Sequence, residues 1–150
     1  MFPFNQPDKT KDCGYRCAYY AIGTEEPYES WLDQFKMFDP QHHGILFTDI
    51  AQLLKFNKLE YKFTQLSEEG LYIVYSGSWL KHGHYFVYHN GVVYCSTKSE
   101  PYRMPLQDVV DQLETKSSDH GFKIMKVFPF GLTCNIKQKP WEKEEAVASK

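Results

Sequence analysis

The run Asp12-Cys13-Gly14-Tyr15-Arg16-Cys17 places a cysteine at the expected first turn of a helix, and about seventy residues later His84 opens the apolar stretch His84-Tyr85-Phe86-Val87-Tyr88. A thiol and an imidazole far apart in sequence, each at the end of a regular element, are the parts of a nucleophile and its base. The first turn of a helix leaves N–H groups without partners, and their partial positive charge favours a thiolate. Cys13 is therefore the candidate nucleophile. Asp12 suits the N-cap, where its carboxylate would accept from those N–H groups, although its charge opposes the thiolate. Gly14 is a poor helix former, so its place beside Cys13 predicts a close approach to the backbone there, as by a substrate carbonyl.

Neighbouring residues have other readings. Cys17 lies one turn below Cys13 and is expected to pack inward. His82 shares the parity of His84, but the apolar run follows His84 directly, which favours His84 as the base. His42 and His43, beside Gly44, read as loop residues. A zinc site can be drawn from Cys13, Cys17, His82 and His84, but neither short spacing belongs to a familiar zinc module, and the reading carries neither metal nor cofactor.

Three helices must come before the strands. Cys17, Ala18, Ala21 and Ile22 form a stripe that Gly23 ends; Trp31, Leu32, Phe35 and Phe38 mark a second helix over Glu29 to Phe38, stopped by Pro40. Thr48 would cap a third, with Ile50, Leu53, Leu54 and Phe56 on its face before Asn57. From Tyr61 the period changes to two, and Leu71 to Tyr75 is β-branched and aromatic. His84 to Tyr88 and Val92 to Ser96 flank Asn90-Gly91, residues suited to the positive φ of a type I′ hairpin turn. In that register His89 pairs with Val92 and Thr97 stands opposite His84, with Cys95 and Ser99 as diagonal neighbours. A residue that orients the imidazole should come from this stretch, which offers Cys95, Ser96, Thr97 and Ser99; Glu100 is the nearest carboxylate. Leu106, Val109, Val110 and Leu113 then mark a last helix after Pro105, and Phe122 to Phe128 a last strand. The class is α+β.

Size and composition narrow the field. A chain of 150 residues fits one domain, assigned to residues 1–140, with the charged stretch 141–150 as a frayed tail. Eleven Tyr and eleven Phe require a core built on large rings, with hydroxyls that need partners. A formal charge of -2 gives no field to gather nucleic acid or anionic lipid. Neither an export signal nor a membrane-spanning run is visible, so a cytoplasmic location and free thiols are expected for the four cysteines Cys13, Cys17, Cys95 and Cys134.

A cysteine at a helix start in an Asp-Cys-Gly context, an upstream Gln6, three helices, and then a strand opening His-Tyr-Phe-Val-Tyr resemble the papain-like cysteine peptidases. Within them the chain looks most like the double-glycine-leader, bacteriocin-processing peptidase domains and their stand-alone relatives. The likeness covers roughly Phe4 to Val127, including the stretch Gly44-Ile45-Leu46-Phe47-Thr48-Asp49-Ile50-Ala51; only the Asp12-Cys13-Gly14 and His84 neighbourhoods are specific. The resemblance implies helices packed on an antiparallel sheet, Cys13 as nucleophile, His84 as base and later acid, and an oxyanion hole from Gln6 and the Cys13 N–H. Two departures stand out. One residue more than usual separates Gln6 from Cys13, and the family's aspartate after the histidine strand finds Ser96 or Thr97 at the nearest position, which makes these the candidates for a third member.

The expected function is that of a small cysteine hydrolase acting on a protein or peptide through an acyl-enzyme. Two alternatives use the same residues: a binding or inhibitory module with weakened catalysis, and an amide transferase or deamidase. Oligomeric state is not legible.

Overall fold

The computed structural model describes residues 11–77, 84–96, 100–116 and 122–129. Helix α1 (Cys13–Ile22) ends at Gly23, whose left-handed φ of 66° lets its N–H return to the Tyr19 carbonyl. Helix α2 (Tyr28–Asp33) is followed by a 3₁₀ turn at Lys36–Phe38 and by α3 (Phe47–Phe56). The strands are β1 (Leu59–Phe63), β2 (Leu71–Ser76), β3 (His84–His89), β4 (Val92–Tyr94), β5 (Tyr102–Arg103) and β6 (Phe122–Pro129), with α4 (Leu106–Lys116) before the last. They form one six-stranded sheet in the order β1-β6-β2-β3-β4-β5, and every neighbouring pair is antiparallel.

Strand alternation builds two cores. Leu71, Ile73, Val87, Met125 and Val127 face α1, α2 and α3, where Cys17, Ala21, Trp31, Leu32, Ile50 and Leu54 close the packing. Tyr72, Val74, Phe86, Tyr88, Val93 and Cys95 face the other way and meet Val109 and Leu113 of α4. β2 and β3 are thus buried on both faces, which explains why they read as continuous apolar runs rather than alternating ones. The large rings supply much of the first core, where Phe47 makes edge contacts with Phe63, Tyr75 and Tyr85.

The hairpin behaves as its sequence predicts. Asn90 (φ 51°) and Gly91 (φ 82°) take the positive φ of the turn, and His89 pairs with Val92, Tyr88 with Val93 and Val87 with Tyr94. Other expectations need correction. The helix predicted over Glu29 to Phe38 ends at Asp33; the chain tightens to 3₁₀ and leaves at Asp39 with φ 50°, so Phe38 is exposed instead of completing the stripe. α3 starts at Phe47 rather than after a Thr48 cap, and Phe56 points to solvent at 88% exposure. Asp12 makes no side-chain cap to the helix, because its carboxylate is turned to other partners.

No helix of the described residues is long and apolar enough to cross a membrane. Cys13, Cys17 and Cys95 are free thiols; Cys134 and the tail lie outside the described residues.

Candidate functional site

The start of α1 meets the start of β3. A Cβ built on Gly14 would overlap Ile45 Cγ2 and come within 3.0 Å of Tyr85 Cδ2, so only a glycine lets the helix lie this close to the strand. The close approach expected at Gly14 is therefore made by the chain's own Ile45 and Tyr85. The Tyr85 ring is buried, and its hydroxyl donates to the Ile45 carbonyl at 2.6 Å, which ties the segment before α3 to the same corner.

Cys13 is 8% exposed, and burial pushes its thiol up to about 11. Hydrogen bonding from the Tyr85 and Gly14 backbone works in the opposite direction, while the Asp12 and Cys95 charges add to the rise. The Tyr85 N–H belongs to the residue directly after His84, so the sulfur lies at the opening of the histidine strand. Asp12 thus opposes the thiolate, as its type and place predict. Cys17 is fully buried, and desolvation, with Cys13 and Cys95 nearby, holds its thiol well above the ordinary range. It packs inward, as expected from its position one turn below.

His84 is buried, and its Nε2 lies 3.3 Å from Cys95 Sγ. Across the ladder Ser76 stands opposite His84 on β2. Of the third-member candidates Ser96 and Thr97, Ser96 is buried next to Cys95 in the chain, and Thr97 lies outside the described residues, as do Gln6, His82 and Ser99. Glu100 is exposed. The contact between the imidazole and Cys95 was legible only as a diagonal neighbour in the hairpin register.

Beneath Cys13 a polar knot fixes the helix. Asp12 Oδ2 accepts from Arg16 Nε at 3.1 Å and from the Tyr28 hydroxyl at 2.7 Å, all three groups being buried. The Arg16 guanidinium lies 4.6 Å from the centre of the Tyr28 ring. Burial, then the Asp12 charge and hydrogen bond, hold the Tyr28 hydroxyl firmly protonated. The i,i+4 spacing of Asp12 and Arg16 signals their half of this knot; nothing in the sequence marks Tyr28 as its third member.

The chain matches no known family model, and no curated protein is similar to it. The chemistry must be read from these groups themselves.

Proposed function

We propose that the protein is a thiol hydrolase of papain-like build that cleaves an acyl or peptide bond in a protein or peptide. In this reading Cys13 is the nucleophile and His84 its base. His84 takes the Cys13 proton as the sulfur bonds to the substrate carbonyl carbon; the proton then passes to the leaving amine as the C–N bond breaks, giving a thioester. Water, deprotonated by the same imidazole, attacks the thioester, releases the acid and returns the proton to sulfur. An amine in place of water gives transfer, and ammonia as leaving group gives deamidation. Developing charge on the carbonyl oxygen calls for N–H donors, which the first turn of α1 has available.

The observation that supports this reading most is the placement of the Cys13 sulfur at a helix start against the backbone of Tyr85, the residue that follows His84. One observation favours the second reading, a binding module with weakened catalysis: the same thiol is buried and held near 11, so it rests protonated at neutral pH. Iodoacetamide labelling at pH 7 with peptide mapping separates the two. Labelling of Cys13 that His84→Ala slows at least tenfold supports the hydrolase; labelling that ignores His84 supports the binding module.

A further inference from the structure

We propose that Cys95 is the positioning residue for His84, its sulfur fixing which ring nitrogen faces the nucleophile. The inference rests on the Cys13–His84 reading above and adds to it a residue from a different strand and a specific tautomer.

An imidazole has two nitrogens, and the partner of one decides the state of the other. His84 Nε2 and Cys95 Sγ are 3.3 Å apart, and both side chains are buried, Cys95 to within 1% of its surface. If Nε2–H donates to sulfur, Nδ1 keeps its lone pair and can accept a proton from Cys13. If Cys95 S–H donates instead, Nδ1 carries the hydrogen and His84 cannot serve as a base through that atom. The useful arrangement is Nε2–H to Sγ, with sulfur as acceptor.

Cys95 is well placed to hold that geometry. It follows β4 directly, and continuing the register of Val87 with Tyr94 sets it opposite Phe86. It belongs to the same buried cluster as Phe86, Val93, Val109 and Leu113, which limits the room its side chain has. Sulfur is a weaker hydrogen-bond acceptor than a carboxylate oxygen, so its part here is to orient the ring.

Two measurements test this. In the full chain, ¹⁵N-resolved NMR of His84 should show the Nε2–H tautomer above the ring's titration midpoint; an Nδ1–H tautomer would overturn the proposal. Cys13 alkylation by iodoacetamide should then be followed against pH in Cys95→Ala, Cys95→Ser and Cys95→Asp. We expect Cys95→Ala to slow alkylation at pH 7 by roughly tenfold and Cys95→Ser, which keeps an acceptor, to restore most of it. Cys95→Asp should raise the His84 midpoint by about 1 unit or more and speed alkylation below pH 8. If Cys95→Asp fails to fold, the Ala and Ser pair still decides. Equal rates and an unmoved histidine midpoint in Cys95→Ala would reduce Cys95 to packing. Should His84→Ala itself leave Cys13 labelling unchanged, the parent reading fails; should only the Cys95 variants be silent, the positioning role alone is lost.

Discussion

Gly14→Ala sets two ordinary effects against each other in a place where the structure says which wins. Alanine is the better helix former by about 0.8–1 kcal/mol, so propensity alone predicts a more stable protein. The new methyl, however, would overlap Ile45 Cγ2 and lie 3.0 Å from Tyr85 Cδ2, well inside the ~3.5–4.0 Å of ordinary carbon contacts. Neither neighbour moves freely, since Ile45 is buried and its carbonyl is held by the Tyr85 hydroxyl. Overpacking of this kind costs about 1–3 kcal/mol, and after the gain in propensity the net expected is a loss of up to about 2 kcal/mol. Urea unfolding gives the number. Ile45→Ala alone should cost about 2–4 kcal/mol as a cavity, whereas the double variant should fall short of the sum by about 1–2 kcal/mol because the two methyl changes fit each other. A more stable Gly14→Ala protein, or strictly additive variants, would refute the close packing of α1 on β3 from which the site is built.

Two further outcomes follow from the charges around Cys13. Asp12→Asn removes a charge that raises the Cys13 thiol, so alkylation of Cys13 should quicken; the same change leaves the buried Arg16 without its carboxylate and should cost about 3 kcal/mol in urea unfolding, a loss that Asp12→Asn paired with Arg16→Met should largely reverse. Cys13 itself links stability to alkaline pH. Its folded value of about 11 lies above the ordinary 9.0, so the unfolded chain loses the proton first; the thiol's contribution is complete below pH 9 and is lost as pH rises through 11, a change of about 3 kcal/mol at most that Cys13→Ser should remove from the pH profile of unfolding.

Much of the site's scaffold was legible because local signals and tertiary packing agree. Asn90-Gly91 accepts positive φ at both positions, so the hairpin and its register could be read from two letters, and with them the diagonal relation of Cys95 to His84. Gly23 likewise marked the end of α1. The misreadings have one cause. Phe38 and Phe56 fit a helical stripe in sequence, but each lies at the end of its element, where the chain turns off and the periodic position no longer faces the core. Asp12 does stand at the N-cap of α1, but its side chain does not cap the helix: Arg16 one turn on and Tyr28 on the next helix offer its carboxylate a better charge-assisted set of partners than the backbone does. Only the folded chain brings Tyr28 there.

The site joins two choices that pull in opposite directions. Burying Cys13 beside Asp12 holds its proton, and a thiol near 11 is ionised in only about one molecule in ten thousand at pH 7. Setting the same sulfur against the Tyr85 and Gly14 N–H groups favours the charge. These effects do not cancel in time, because the charge resides on sulfur only until the carbonyl is attacked and then passes to oxygen. If Cys13 acts as the proposed nucleophile, a thiolate formed only as attack begins needs its proton acceptor already aimed, and the partner of one imidazole nitrogen sets the state of the other. On the proposed reading, the 3.3 Å contact between His84 Nε2 and Cys95 Sγ is what aims that acceptor, although it lies on the α4 side of the sheet, away from the helix that carries Cys13.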